Sequence, residues 1–361
     1  MCMVTVRHPA APRRALLAAV ALATGAVVSA PALLPGTPEP QASAATSAAQ
    51  PTAVTSTIPL AFGAYSQGMD RDPRVLDRTA SAVGRPMAIA SVFRGRGDDP
   101  YWPYPSDRAM GATRTLLVAW SLEDYGSFAY WSSGRGDAVL RAKARTLRAY
   151  GRPVVLRPWA EMNADWVAHQ PTTGAAKSRG GTPAQFKAAW RRAVTIFRQE
   201  RATNVRWAFN PTTDTYAGTT DVRTIYPGND VVDILGLDGY NWGTTRARNL
   251  GWRSFDDVYA VQYQRLVALA PRKPVWICEI SSADPASAGV SSVAVSAPRG
   301  QSKAAWWLDA FARMRTGYRN VQAVVIFDVD KERNWRVTSS SGATAGLRSA
   351  VATPILKPRQ P

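Results

Sequence analysis

The chain is poor in cysteine and histidine, and each shortage removes a class of chemistry. There are two of each in 361 residues. Cys2 lies in the leading segment, so Cys278 has no disulfide partner in the rest of the chain; on an apolar run it reads as a small hydrophobic filler. His8 belongs to the same leading segment, which leaves His169 as the remaining imidazole. Multi-histidine metal centres and Ser-His or Cys-His triads are therefore poor fits, and neither a cofactor nor a metal ligand is expected. Long apolar runs are missing too. The stretch from Ala15 to Ala30 is broken by Thr24, Gly25 and Ser29, short of the roughly 20 residues that a membrane span needs. Arg7, Arg13 and Arg14 precede it and Ala42-Ser43-Ala44 follows, so residues 1–44 read as a secretion signal and the location as extracellular, with no stable membrane span. The Arg13-Arg14 pair leaves the general and twin-arginine export routes both open. Acidic residues are scarce: 26 Asp and Glu face 44 Lys and Arg, a net charge of +18. That charge suits an anionic partner. The arginines are scattered, however, without a dense basic run or a recognisable motif, and nucleic acid is not the expected partner.

What is present is regular alternation. After a stretch rich in Ala, Ser, Thr and Pro, expected as a disordered linker over 45–57, apolar runs of strand type occur at 60–66, 86–93, 114–121, 153–158, 205–210, 232–237, 274–280 and 321–327. Helical patterns fall between them at 73–83, 137–150, 183–201, 255–270 and 303–316, with Thr182-Pro183 and Ser302 placed as start signals. Eight strands interleaved with helices predict an α/β fold, a (β/α)8 TIM barrel forming one domain over 58–353, monomeric, with a C-terminal tail at 354–361. The tail beyond Arg348 reads as a short helix and a frayed end. Long connections at 122–136 and 164–182 follow the third and fourth strands, where such barrels build their sites.

Two of these strands end in glutamate. Val154 to Trp166 contains Arg157, Glu161 and Asn163, and Lys273 to Ser282 contains Glu279. Closure of the barrel brings Glu161 and Glu279 to one mouth, the paired carboxylates that glycoside hydrolysis uses. Tyr240 ends the neighbouring sixth strand, and a phenol there can donate a hydrogen bond to Glu279. Flat rings suited to sugar faces are Tyr65, Tyr101, Trp102, Tyr104, Trp120, Trp166, Trp242 and Trp335, of which Trp120, Trp166 and Trp335 stand at strand exits. Trp190, Trp306 and Trp307 lie on helices and read as core. Asp328, Asp330 and Glu332 form an acidic cluster after the eighth strand. Ordering a loop, orienting Trp335 and touching substrate all remain open to it.

The segment Arg157-Pro158-Trp159-Ala160-Glu161-Met162-Asn163-Ala164-Asp165-Trp166 resembles the acid/base motif of glycoside hydrolase family 26. The likeness continues through Phe186 to Trp190, Asn204 to Pro211, Tyr226 to Asp233 and Pro274 to Ser281. The resemblance implies a retaining β-glycanase with Glu161 as acid/base, Glu279 as nucleophile, Tyr240 as the partner of the nucleophile and Trp166 as a sugar contact. Arg157, Asn163, Trp120, Trp335, Tyr65 and Trp242 complete the expected substrate-binding set. Where the family usually carries His before the acid/base, this chain has Ala160; where it carries Gly after Asn, it has Ala164. The expected substrate is a polysaccharide, β-mannan or mixed β-glucan. A glycosidase acting on bacterial exopolysaccharide or cell-wall polymer, and a non-catalytic sugar-binding barrel, are the alternatives. A retaining mechanism requires the two carboxyl groups about 5 to 5.5 Å apart.

Overall fold

The alternation of apolar strands and amphipathic helices is realised as a closed barrel. The computed structural model describes residues 57–99, 101–172, 180–244 and 251–358. The expected signal and, apart from Thr57, the expected linker lie outside them. Ten strands occur in chain order among the described residues: β1 (Thr57–Pro59), β2 (Ala61–Ser66), β3 (Ile89–Arg94), β4 (Thr115–Trp120), β5 (Val154–Pro158), β6 (Val205–Phe209), β7 (Ile234–Asn241), β8 (Val275–Ser282), β9 (Val321–Asp328) and β10 (Leu356–Pro358). Strands β2 to β9 pair in parallel, each with the next, and β9 pairs with β2, which closes an eight-stranded barrel. The helices are α1 (Arg74–Val83), α2 (Pro105–Gly111), α3 (Phe128–Ser132), α4 (Asp137–Tyr150), α5 (Pro183–Gln199), α6 (Val222–Ile225), α7 (Phe255–Leu269), α8 (Lys303–Thr316) and α9 (Ser341–Ala352).

Side chains along a barrel strand alternate between the interior and the helix-covered face. Ile89, Leu117, Val155, Ala208, Ile234, Cys278, Ala323 and Val325 form the inner cluster. Their sequence neighbours, among them Leu116, Val118, Leu156, Leu235, Ile277 and Val324, join Trp190, Trp306 and Trp307 of the helices in the larger outer core. The interior is tight enough that a Cβ on Gly236 would lie 2.7 Å from the Cβ of Asn210. The expected start signals operate as caps: Thr182 accepts a hydrogen bond from the Gln185 amide and Ser302 from the Ala305 amide.

The last strands depart from the sequence expectation. The C-terminal end is not frayed over 356–358. β10 pairs antiparallel with β1, and the buried Lys357 ammonium donates to the carbonyls of Met314 and Tyr318. Strands β7 and β8 run on past their expected ends, to Asn241 and Ser282. No helix among the described residues is long and apolar enough to cross a membrane.

Candidate active site

The inward positions nearest the C-terminal ends of the strands converge on Glu279. Parity brings Arg157 two residues beyond inward Val155, and Asp238 and Tyr240 four and six residues beyond inward Ile234. Glu279 reaches the interior by a different device. Leu237 pairs with Ile277 but Asp238 pairs with Glu279, so Cys278 is an extra residue on β8, and the pairing with β9 shifts over the same stretch. Simple alternation after inward Cys278 would turn Glu279 outward toward the helices. The bulge restores it to the mouth.

Glu279 is buried and held on both oxygens. Arg157 Nη2 donates to Oε1 at 2.6 Å and the Tyr240 hydroxyl donates to Oε2. Arg157 has no exposed surface; its Nη1 donates to Asp238 Oδ2 at 2.9 Å, and its guanidinium lies 5.2 Å from the centre of the Phe93 ring. Burial and the charge of Glu279 raise the pKa of Asp238 well above the carboxylate range, and Arg157 pulls it back. Burial and Glu279 likewise raise the Tyr240 phenol, so it stays a hydrogen-bond donor.

Glu161 sits three residues past β5, in a turn rather than at the strand end. Trp159 and Glu161 both have left-handed backbones, φ 51° and 57°. For residues other than glycine each such conformation costs on the order of 1–3 kcal/mol, a strain typical of functional sites. The turn is tied down by its main chain: Glu161 N donates to the Asn210 carbonyl at 2.8 Å and Ala164 N donates to the Glu161 carbonyl at 2.8 Å. The half-buried carboxyl accepts a hydrogen bond from Trp166 Nε1 at 3.3 Å. Burial, and then the charge of Glu279, push its pKa up to about 7, with Trp166 and Arg157 opposing the rise. The two carboxyls thus sense each other's charge while holding different partners.

The expected binding residues divide. Trp166, 41% exposed beside Glu161, keeps a free face. Tyr65 stands at the mouth with its hydroxyl donating to Asp70 Oδ2 at 3.4 Å; its ring contacts Phe93 and Phe327, and burial pushes its pKa up to about 12. Trp242 is half-buried and packs on Tyr240. Five expectations are corrected. Trp120 lies on the outward parity of β4, is 1% exposed, and packs against Trp102 and Phe197 in the outer core, so it presents no face to a sugar. Trp335 is equally covered, with its centroid 4.9 Å from Tyr240, and it backs the Tyr240 ring rather than lining open space. Asn163 has no exposure: its amide donates to the Thr212 carbonyl and its oxygen accepts from Thr212 N, joining the β5 loop to the β6 loop. Arg157 too is covered, and acts on Glu279 rather than on open space. Trp102 is core, whereas Tyr101 is exposed. The acidic cluster orders loops and, through Glu332, holds Trp335: Asp328 accepts from Val337 N and Thr79, Asp330 from Val290 N, and Glu332 pairs with Lys331 and accepts from Trp335 Nε1 at 3.5 Å.

Sequence reasoning missed Asp238, Phe93 and Phe327, and the contact of His169 with Glu123. For Asp238 the signal was present, since it shares strand and parity with Tyr240.

A closed (β/α)8 barrel whose mouth holds one carboxyl in the turn after β5 and a second on β8 defines the class of barrel glycosidases. Residues 137–282, which carry both, match the model of glycosyl hydrolase family 26. It is 35% identical over 269 residues to Endoglucanase H of Acetivibrio thermocellus, a match covering 74% of this chain but only 28% of that protein. A modular endo-β-1,4-mannanase from Cellulomonas fimi shares the fold at TM-score 0.57 and 17% identity, over 82% of this chain and 71% of the other. The YdhT protein of Bacillus subtilis does so at TM-score 0.53 and 17% identity, over 81% and 85%.

Proposed function

We propose that the chain is an exported, retaining endo-β-glycanase acting on β-linked polysaccharide, with mixed β-glucan favoured over β-mannan. The observation that carries the mechanism is the contrast between the two carboxyls. Glu161, raised to about 7, keeps a substantial protonated fraction near neutral pH, while Glu279 is bound by a guanidinium and a phenol. Environments that separate two carboxyls in this way assign the acid and the nucleophile. In the first step the Glu161 proton passes to the departing glycosidic oxygen as that bond to the anomeric carbon breaks and a Glu279 oxygen forms a new one. In the second, Glu161 takes a proton from water, the water oxygen bonds to the anomeric carbon, and the bond to Glu279 breaks. Arg157 and Tyr240 fix the direction of Glu279; Trp166, Tyr65 and Trp242 are placed to meet sugar rings.

The name Endoglucanase H on the 35% identical relative supports the glucan preference. The basic stretch and apolar run before residue 45 support export. The test is digestion of defined polysaccharides by wild type and by Glu279→Ala and Glu161→Ala, with NMR of the first-formed products. Glu279→Ala should abolish turnover, and the wild-type product should keep the β configuration. Inverted product, or a crystal structure with the carboxyls more than about 8 Å apart, would overturn the retaining reading.

A further inference from the structure

The strained turn that presents Glu161 has a brace that the reaction scheme does not use. His169, 7% exposed, sits in the loop after β5 with Nε2 3.1 Å from the Ala160 carbonyl oxygen, between the two left-handed residues. A carbonyl only accepts, so Nε2 carries the hydrogen. The other ring nitrogen, Nδ1, faces Glu123 Oε1 at 3.6 Å, on the short helical turn after β4. The base of the imidazole is fixed as well. Gly180 lies so close that a Cβ there would fall 2.7 Å from the His169 carbonyl carbon, and the next residue, Gln170, donates to the Asn163 and Gly218 carbonyls. Two loops, after β4 and after β5, are thus tied to one peptide unit of the turn.

We propose that Glu123 and His169 form a positioning pair that holds the Ala160 peptide, and through it sets where the Glu161 carboxyl stands relative to the leaving-group oxygen. His169 is a positioning residue, acting through the Ala160 carbonyl rather than on the reacting atoms. The proposal rests on the reading of Glu161 as acid/base. Loss of the brace lets the left-handed turn relax toward ordinary φ values, and Glu161 moves while Glu279 and Tyr240, on β8 and β7, and Arg157, paired within β5 ahead of the turn, stay in place. The defect therefore falls on proton delivery alone.

The experiment compares kcat/KM, which reports steps up to the glycosyl-enzyme, for a natural oligosaccharide and for an aryl glycoside whose good leaving group needs no proton. His169→Ala should lose about ten- to a hundredfold on the oligosaccharide, as misplacement of a catalytic group by a fraction of its reach does, and less than about threefold on the activated glycoside. His169→Gln, whose amide reaches the same carbonyl, should recover most of the loss, and Glu123→Gln should lie between. Equal losses on both substrates, tracking a fall in melting temperature, would reduce the pair to a structural contact. No loss in His169→Ala, or no rescue by His169→Gln, would likewise overturn the proposal. Glu161→Ala measured alongside separates the two readings: if it shows no leaving-group dependence the acid/base assignment itself fails, and if only His169→Ala shows none the brace alone fails. Should His169→Ala not fold, the same comparison of substrates with Glu123→Gln decides between brace and structural contact.

Discussion

Glu161 and Glu279 are the same side chain in two solvents. Burial dominates at Glu161, while Glu279 is held on one oxygen by the Arg157 guanidinium and on the other by the Tyr240 hydroxyl. This contrast fixes a pH dependence. A carboxyl whose folded pKa is raised from 4.5 to about 7 is the protonated acid below that value and loses the role above it. The rate on natural polysaccharide should therefore fall as pH rises through about 7, and Glu161→Gln, which lacks the titrating proton, should lose this basic limb together with about 10²–10⁴-fold in rate. A basic limb that persists unchanged in the variant belongs to another group. The linkage runs the same way. The folded state holds this proton more tightly than the unfolded chain, so Glu161 weakens the fold as pH climbs from the ordinary carboxylate range through 7, and Glu161→Gln should melt higher than wild type at pH 8. The residue scale also yields a test of the corrected Trp120. Because its ring is packed between β4 and the helices, Trp120→Ala should cost about 3–5 kcal/mol of stability, while the KM of the molecules that remain folded stays the same. A raised KM at unchanged stability would return Trp120 to the sugar groove.

At the scale of elements, the eight barrel strands and five long helices were legible because burial on both faces makes parallel strands near-continuous apolar runs, and caps announce helix starts. Which side of a strand a ring occupies was legible only by counting parity. Trp120 sits three residues from inward Leu117 and so faces out; reading it as a strand-exit aromatic ignored that count. Parity in turn fails at β8, where the extra residue Cys278 re-aims Glu279, and only pairing partners reveal a bulge. Short pieces were not legible at all: α2, α3 and α6, of seven, five and four residues, carry too few turns for a periodic pattern. The clasp of β1 with β10 joins two three-residue strands from opposite ends of the described residues, and no local signal foretells it. Removing residues 355–361 should take away this pairing, the Ile355 carbonyl that Leu60 N uses, and the two carbonyl contacts of Lys357. Thermal melts should show a loss of about 1–3 kcal/mol. The activity of the folded fraction should hold, because β1 leads into the N-terminal ends of the strands, opposite the carboxyls. Lost activity at unchanged melting temperature would contradict that placement.

Over the whole molecule, the choice of polysaccharide turns on the surroundings of Glu161 together with the charge the chain carries. The resemblance places a sugar-contacting imidazole one residue before the acid/base, and here that position is Ala160, whose methyl group offers no polar contact. The imidazole of His169 approaches the same residue but is spent on its carbonyl. A site built to pair a sugar hydroxyl penalises the missing partner, and losing one such contact shifts preference by about 1–3 kcal/mol, roughly ten- to a hundredfold. Mixed-linkage β-glucan should therefore be cleaved faster than β-mannan when mannan, mixed β-glucan, xylan and an acidic bacterial exopolysaccharide are compared side by side, and mannan as the best substrate would make Ala160 a neutral variation. The net charge of +18 separates the remaining alternative. An acidic polymer drawn to so basic a protein is held by long-range attraction that salt screens over about 10 Å at 0.1 M, whereas a neutral glucan is not. Rates on mixed β-glucan should stay level between low salt and about 0.3 M, where the screening length is shorter still; a steep fall, with exopolysaccharide the better substrate at low salt, would move the substrate to the acidic polymer.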